Sequence, residues 1–218
     1  MNKKKKYLII SFVLIFVSII YTILVKFVDV QSIGDTNTNV GFASINQLVF
    51  SSIGVNKIWY DISDILGLFP ILSVGIYALI GLMQLIKRKN IFKVDKEIIA
   101  LGVFYVVVIA LYVFFEKVII NYRPVLVEGV LEASYPSSHT LMSICLCGSA
   151  IILNNQLFKN KTKLINILLL VIGLIIIVGR LLSGVHWFTD ILGGVIISCA
   201  LLMTFYTSLK IIKEKEEI

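Results

Sequence analysis

Residue types that usually carry protein chemistry are scarce in this sequence. Its 218 residues include two histidines, three prolines, three cysteines and two tryptophans, and only 15% of them are charged, whereas 58% are hydrophobic. A soluble domain of this length would be much more polar. No internal repeat or low-complexity linker divides the chain, so we predict a single domain over residues 1–218.

The few cysteines do not form a disulfide framework. Cys145, Cys147 and Cys199 all lie within apolar runs, where a free thiol behaves as a small hydrophobic side chain. We therefore interpret them as buried packing residues and not as disulfides or metal ligands.

Charge is missing from long stretches of the chain. Five segments contain no charged residue: Tyr7–Leu24, Ile65–Ile86, Ile98–Phe115, Thr140–Phe158 and Ile191–Leu209. A sixth apolar segment, Leu164–Gly179, is shorter and runs into Arg180. Since a helix needs about 20 apolar residues to cross a bilayer, we predict an all-α protein, a six-helix transmembrane bundle. The first segment is long for a signal peptide and no cleavage pattern follows it, so an uncleaved anchor is expected.

Most of the 20 lysines and arginines lie on one side of this predicted bundle. They precede the first segment, separate the second from the third and the fourth from the fifth, and follow the sixth: Lys3–Lys6, Lys87, Arg88, Lys89, Lys93, Lys96, Lys159, Lys161, Lys163, Lys210, Lys213 and Lys215. Because Lys and Arg concentrate in cytoplasmic loops, we predict a plasma-membrane protein with both termini in the cytoplasm. The net charge of +7 is thus interpreted as topology, and no nucleic-acid partner is expected.

The segment between the first two predicted spans has a helical period. Phe42, Ile45, Val49 and Ile53 recur among polar residues at near-helical spacing. This pattern favours a short amphipathic helix at the membrane interface. A lid over a functional site is the alternative interpretation.

Both histidines fall at the external face of the predicted bundle. The stretch "NYRPVLVEGVLEASYPSSHT" contains Arg123 and His139 and leads into the fourth span, and "GRLLSGVHWFTD" contains Arg180 and His186 and joins the fifth span to the sixth. Ionisable residues at the border of apolar spans are energetically costly and usually functional. We expect these segments to meet at one surface and to form a site.

The residue types in these segments suit an anionic ligand. Asp190 follows His186 by four residues, so on a helix its carboxylate can hold one imidazole nitrogen protonated and leave the other as a base or nucleophile. Pro136 is placed to start a helix, and the amides that follow it offer an anion site. Arginines bind phosphate through paired hydrogen bonds.

A metal site is the main chemical alternative. The two histidines, together with Asp190, Glu128 and Glu132, include enough ligand types for zinc. Two nearby arginines would repel a cation, however. We therefore expect neither a metal nor another cofactor.

Three motifs in this order resemble the signature of the type 2 phosphatidic acid phosphatase superfamily, whose members include six-span lipid phosphatases. The family's motifs are Lys-x6-Arg-Pro, Pro-Ser-Gly-His and Ser-Arg-x5-His-x3-Asp. Arg123 with Pro124 matches the first, Pro136, Ser137 and His139 match the second, and Arg180, His186 and Asp190 match the third.

The resemblance implies a mechanism and a role for each residue. His186 would be the nucleophile that forms a phosphohistidine, Asp190 would orient it, and His139 would protonate the leaving oxygen and later activate water. The residues that would bind the phosphoryl oxygens are Arg123, Arg180, Ser137 and the backbone amide near Ser138. Lys117 would join them in the role of the first-motif lysine.

The sequence departs from the family pattern at three places. Ser138 replaces the glycine of the second motif and Gly179 the serine of the third. Lys117 is one position too close to Arg123, and Glu116 holds the position of the family lysine. On a continuous helix this shift turns Lys117 by about 100°, so it reaches the phosphate only if the helix breaks before Arg123.

The resemblance predicts a metal-independent phosphatase that acts on a lipid phosphate at the extracytoplasmic face. Undecaprenyl pyrophosphate, phosphatidylglycerol phosphate and phosphatidic acid are the candidate substrates, and the short loop between Pro124 and Pro136 weakly favours the first. A phosphotransferase that uses an acceptor other than water, and a non-catalytic lipid-binding or transport protein on the same fold, remain alternatives. Membrane lipids are expected partners, and the sequence leaves the oligomeric state open.

Overall fold

Six helices that are long and apolar enough to cross a membrane make up most of the chain, as predicted. The computed structural model describes residues 3–216, and the candidate spans within them are Lys4–Phe27, Lys57–Arg88, Lys96–Lys117, Ser138–Leu157, Lys163–Leu182 and Phe188–Glu214. Residues 1, 2, 217 and 218, which belong to the predicted single domain, lie outside this described part. The chain is a multi-pass membrane protein.

Ten helices and strands make up the part of the chain that the structure describes. In chain order they are α1 (Lys3–Phe27), β1 (Gln31–Ile33), β2 (Thr38–Val40), α2 (Ala43–Ile53), α3 (Lys57–Leu66), α4 (Leu68–Arg88), α5 (Lys96–Lys117), α6 (Ser138–Leu157), α7 (Lys163–Leu182) and α8 (Phe188–Glu216), with short 3-10 turns at Ile91–Lys93 and Lys159–Thr162.

The second span begins eight residues earlier than the prediction of Ile65–Ile86. The Asn56 side chain caps α3 by accepting hydrogen bonds from the backbone N–H groups of Ile58 and Trp59, which starts the helix ahead of the apolar run. Gly67 joins α3 directly to α4 with helical backbone angles. A search for uninterrupted apolar residues misses α3 because this helix still contains charged side chains.

The centre of the bundle is formed by α6 and α8, the two most buried spans of residues 3–216. The α8 helix packs on α1, α5 and α6. Small residues on α6 let the two axes approach, as is common between helices in membranes. At Gly148, for example, a Cβ atom would lie 2.5 Å from a methyl carbon of Leu202 on α8.

The cysteines differ in their burial. Cys145 and Cys147 on α6 are buried, as predicted, but Cys199 on α8 is exposed on the protein surface. That prediction was wrong because an apolar span buries one face in the bundle and turns the other to lipid, and the cysteine's position in the run does not reveal which face it occupies. All three thiols are free.

A small antiparallel hairpin, β1 with β2, was not predicted and lies against the segment that contains Arg123. Gln31 pairs with Val40 and Ile33 with Thr38. The Asp35 N–H donates to the carbonyl of Pro124 at 3.1 Å, and the Thr36 hydroxyl donates to the carbonyl of Arg123 at 3.0 Å. The hairpin therefore holds the backbone of Arg123 in place.

The predicted interfacial helix is present as α2, but a polar residue anchors it. Ala43 and Asn46 are buried, whereas Leu48 is 67% exposed. The Asn46 side chain donates to the Gly41 carbonyl and to the Thr189 hydroxyl and accepts from the Thr189 N–H. These bonds fasten α2 to the first turn of α8, next to Asp190.

Candidate active site

The predicted site residues come from three separate segments that meet at one end of the bundle. Arg123 lies in the loop between α5 and α6, His139 in the first turn of α6, and Arg180 in the last turn of α7. His186 lies in the turn between α7 and α8, and Asp190 in the first turn of α8. The structure therefore brings together the five residues on which the three motifs depend.

The turn that presents His186 depends on a glycine. Gly184 has φ +68°, a left-handed conformation that favours glycine. A Cβ atom at this position would also lie 2.0 Å from the carbonyl oxygen of Gly54. On the same turn, the Asn56 N–H donates to the Ser183 carbonyl. The close approach of the segment after α2 thus sets the direction in which the chain leaves α7.

The hydrogen bonds of His186 fix its tautomer. The Nδ1 atom lies 3.1 Å from the carbonyl oxygen of Ser134 and 3.0 Å from its hydroxyl. A carbonyl oxygen accepts hydrogen bonds and cannot donate, so Nδ1 carries the proton. The other nitrogen, Nε2, is buried and has no hydrogen-bond partner. His186 therefore presents a free lone pair inside the site.

The imidazole of His186 is neutral in this environment. Burial lowers the pKa of His186 well below its ordinary value, and the positive charges of Arg123 and Arg180 lower that pKa further. Both effects disfavour the charged imidazolium. A neutral imidazole with a free lone pair is the form of histidine that can act as a nucleophile.

The predicted direct contact between Asp190 and His186 is wrong. Asp190 accepts hydrogen bonds from the Asn121 amide at 3.0 Å and from the Trp187 N–H at 3.3 Å. His186 precedes α8, so the helical spacing assumed in the prediction does not apply to it. The Ser134 hydroxyl, which lies 3.0 Å from His186 Nδ1, is also near the Asp190 carboxylate.

Two buried guanidinium groups border the site. Arg180 is 1% exposed, with Nη2 at 2.8 Å from Asp64 Oδ1 and its guanidinium carbon 4.9 Å from the centre of the Tyr60 ring. Arg123 is 8% exposed, and its Nη2 lies 3.1 Å from Glu132 Oε2. Each arginine therefore uses one nitrogen to pair with a carboxylate, and Arg180 Nε and Arg123 Nε and Nη1 stay without a partner.

The unsatisfied polar atoms of the structure are concentrated in this site. Among the side chains that the structure describes, the buried nitrogens without a hydrogen-bond partner are Arg123 Nε and Nη1, Arg180 Nε, His139 Nδ1 and His186 Nε2. Buried polar groups are normally paired, and leaving one unpaired costs about 1–3 kcal/mol. Such a cluster of unused guanidinium donors fits an anion with several acceptor oxygens.

The first turn of α6 adds backbone donors to this cluster. Ser137 caps the helix and is fully buried, and its hydroxyl accepts a hydrogen bond from the Thr140 hydroxyl. The backbone N–H of Ser137 donates to the carbonyl of Asp190, so this amide is already used. Ser138 and His139 begin the helix, where N–H groups lack intrahelical partners and attract anions.

The helix breaks before Arg123, which is the condition under which Lys117 was expected to reach the phosphate. Lys117 is the last residue of α5 and is exposed, and its role stays a prediction. A small cavity that reaches Ser138 and His186 is lined by its neighbour Glu116 instead. The acidic residue Glu116 therefore occupies the sequence position of the first-motif lysine.

The residues of the alternative zinc site do not gather around a common point. Glu132 pairs with Arg123, and Glu128 stands in the turn of the same loop with φ +50°. The nitrogens that remain free include three guanidinium atoms, which cannot ligate a metal ion. This donor set is suited to an anion.

Sequence reasoning missed Asp64, Ser134 and Asn121. Asp64 Oδ1 lies 3.1 Å from His139 Nε2 as well as 2.8 Å from Arg180 Nη2. The sequence interpretation considered only basic residues at the edges of apolar spans, where charge is costly. Asp64 was therefore missed, although it directly precedes the apolar run that starts at Ile65. Ser134 and Asn121 carry no comparable signal because their role arises only from the folding of the loop.

A cavity leads from the site towards the apolar part of the bundle. Its volume is about 280 Å³, and its polar end is formed by Asp64, Ser138 and His139. The rest is lined mainly by apolar side chains of α4 and α6, among them Leu68, Ile71, Met142 and Leu146. A ligand with a polar head at His139 would extend an apolar part between these helices.

Comparison with known proteins identifies the family. No curated protein matches the chain. The crystal structure of the first transmembrane PAP2-type phosphatidylglycerolphosphate phosphatase from Bacillus subtilis aligns with a TM-score of 0.56 over 94% of this chain and 96% of that one, at 18% identity, which shows a shared fold. The model of the PAP2 superfamily matches residues 72–213, which contain all three motifs. The chain therefore belongs to the PAP2 superfamily, as the motifs predicted.

Proposed function

We propose that this protein is a lipid phosphatase that releases phosphate from a phosphate or pyrophosphate monoester of a membrane lipid. The observation that carries the proposal is the cluster of unpaired nitrogens at one end of the bundle: unused guanidinium donors lie in the same site as the free Nε2 lone pair of the neutral His186. A free nitrogen lone pair can attack phosphorus, and nearby cationic donors can stabilise the negative charge on the phosphoryl oxygens. The apolar continuation of the adjoining cavity favours a lipid as the carrier of the phosphate.

His186 is the proposed nucleophile. Its Nε2 attacks the phosphorus atom and forms an N–P bond while the P–O bond to the leaving group breaks. Arg123, Arg180 and the free amides at the start of α6 bind the non-bridging oxygens, on which negative charge is spread in the transition state. Ser137 contributes its hydroxyl to the same cradle. No step requires a metal ion, because the fixed cations already neutralise this charge.

His139 is the proposed acid and base. In its charged form it gives a proton to the leaving oxygen, which departs on the lipid or, for a pyrophosphate, on the lipid monophosphate. The neutral imidazole then accepts a proton from the water that attacks the phosphohistidine. The N–P bond breaks, inorganic phosphate leaves, and both histidines return to their starting state.

A panel of substrates tests the proposed activity. We expect the purified protein in detergent to release phosphate from at least one of undecaprenyl pyrophosphate, phosphatidylglycerol phosphate and phosphatidic acid in the presence of EDTA. Phosphatidylglycerol phosphate is included because the Bacillus subtilis neighbour is a phosphatase of that lipid. His186→Ala should release none. Activity that disappears with EDTA and returns with zinc or magnesium would contradict the mechanism.

The site is proposed to face the outside of the cell. The basic residues that follow α4, precede α5 and α7 and end α8 lie at the other end of the bundle, and such residues concentrate in the cytoplasm. In a background without native cysteines, Leu126→Cys and Phe92→Cys are a matched pair, because Leu126 is 55% exposed in the loop of Arg123 and Phe92 is 90% exposed between α4 and α5. A membrane-impermeant maleimide should label Leu126→Cys in intact cells and Phe92→Cys only after permeabilisation. The opposite pattern would reverse the orientation.

Ser134 is proposed to couple Asp190 to the nucleophile. Ser134→Ala removes the hydroxyl between the carboxylate and His186 but keeps the backbone carbonyl that accepts from Nδ1, so we expect kcat to fall about 10- to 100-fold with little change in KM. The matched control is Ser198→Ala, since the equally buried Ser198 hydroxyl donates to the carbonyls of Gly194 and Leu141, away from the site. A loss no larger than that of the control would remove Ser134 from the mechanism.

A further inference from the structure

One carboxylate outside the region matched by the family contacts two of the site residues. A single oxygen, Asp64 Oδ1, lies 2.8 Å from Arg180 Nη2 and 3.1 Å from His139 Nε2. Asp64 belongs to α3, whereas the family model begins at residue 72 on α4. The contacts therefore come from a part of the chain that the three motifs do not describe.

Tight packing of α3 on α7 determines where Asp64 lies. Its neighbour Ser63 is fully buried, and a Cβ atom at Gly179 would lie 2.9 Å from the Ser63 Cβ. Gly179 is one of the positions at which this chain departs from the family pattern, which has serine there. The missing side chain makes room for α3 and so allows the next residue along, Asp64, to reach Arg180.

The α3–α4 junction also approaches His139 closely. A Cβ atom at Gly67 would lie 3.2 Å from His139 Cδ2, so the ring rests against the backbone at this junction. Asp64 is thus held on one side by α7 and on the other by the start of α6. Backbone packing thus sets the position of the Asp64 main chain between α7 and α6, and its side chain is 53% exposed.

The contact fixes the roles of the two nitrogens of His139. A carboxylate can only accept hydrogen bonds, so Nε2 carries a proton. The other nitrogen, Nδ1, is buried and unpaired. In the charged imidazole Nδ1–H is the proton that can be given to a leaving oxygen, and in the neutral ring the Nδ1 lone pair can accept a proton from water.

The unpaired donors argue against a different role for Asp64, in which its carboxylate would take the place of the phosphoryl group. With Asp64 in place, Arg180 Nε and two nitrogens of Arg123 remain unpaired. Donors for the phosphoryl oxygens are therefore available while Asp64 keeps its own contacts. The carboxylate occupies one nitrogen of Arg180 and one of His139, and leaves the rest of the cradle open.

We propose that Asp64 is a positioning residue for the acid and base His139. It holds the ring in the tautomer that leaves Nδ1 free, and its negative charge stabilises the imidazolium that protonates the leaving group. Each histidine then has its own carboxylate: Asp190 acts on His186 through Ser134, and Asp64 acts on His139 directly. This inference rests on the proposed function of the site.

Kinetics of Asp64→Asn test the role of the charge. Asparagine keeps the shape and an accepting oxygen, so we expect kcat on a lipid phosphate to fall about 10- to 100-fold with a much smaller change in KM. On p-nitrophenyl phosphate, a good leaving group that needs little protonation, the loss should be smaller, and His139→Ala should show the same dependence on the leaving group. Asp64→Glu should recover part of the activity.

The control for these measurements is Asp61→Asn. Asp61 lies one turn earlier on α3 and pairs with Lys57, away from the site, so its loss should leave kcat unchanged. Higher activity or a lower KM in Asp64→Asn would show that Asp64 competes with the phosphoryl group, and an effect equal to that of Asp61→Asn would show no role. Either result would overturn the proposal.

A second measurement does not depend on turnover. Because the chain has two histidines, nitrogen-15 labelling of histidine gives a spectrum with two imidazole rings, and nitrogen shifts in neutral rings distinguish the tautomers. We expect one ring protonated at Nε2 in the wild type and in Asp61→Asn, and loss of that single tautomer in Asp64→Leu, with His186 unchanged. An identical His139 signal in Asp64→Leu would refute the assignment. If the wild type hydrolyses no lipid phosphate, the proposed function fails, but this experiment still decides the role of Asp64.

Discussion

Two guanidinium groups buried at the end of an apolar bundle impose the main constraint on this structure. A charge removed from water carries a penalty of several kcal/mol unless it is paired and hydrogen-bonded. Arg180 and Arg123 each receive one carboxylate, from Asp64 and Glu132, and each keeps unpaired nitrogens. The resting site is therefore incompletely compensated, and an anion that binds there supplies the missing acceptors. In the proposed mechanism, these same N–H groups stabilise the transferring phosphoryl group.

The elements around the site at this end of the bundle keep these cations in place. The hairpin β1–β2 holds the backbone at Arg123 through Thr36, and the segment after α2 packs against Gly184, so that the turn carrying His186 cannot relax. Asn46 fastens α2 to the start of α8. Elements that contain none of the three motifs thus determine the geometry of the residues that do.

The structural features that depend on local sequence pattern were predicted from the sequence. Those that depend on contacts between distant segments were not. The apolar runs predicted six spans, and Pro136 with the residues after it predicted the start of α6, because both follow from composition and backbone geometry. The contact between Asp190 and His186 was assigned from helical spacing, yet His186 lies before the helix. Asp64 was missed because its partners are distant in sequence, on α6 and α7, and its approach depends on the absence of a side chain at Gly179. A role for Lys117 stays a prediction, since the end of α5 leaves this side chain exposed.

The central claim is that Nε2 of His186 attacks phosphorus, and a trapped intermediate tests it most directly. The protein is mixed with a lipid substrate labelled in its terminal phosphate, quenched with alkali or with acid within one turnover, and the labelled peptide is sequenced. Phosphohistidine survives alkali and is hydrolysed by acid, so the account predicts an acid-labile, base-stable label on His186 that is absent from His186→Ala. A label on His139, or an acid-stable label on Ser137 or Ser138, would contradict it.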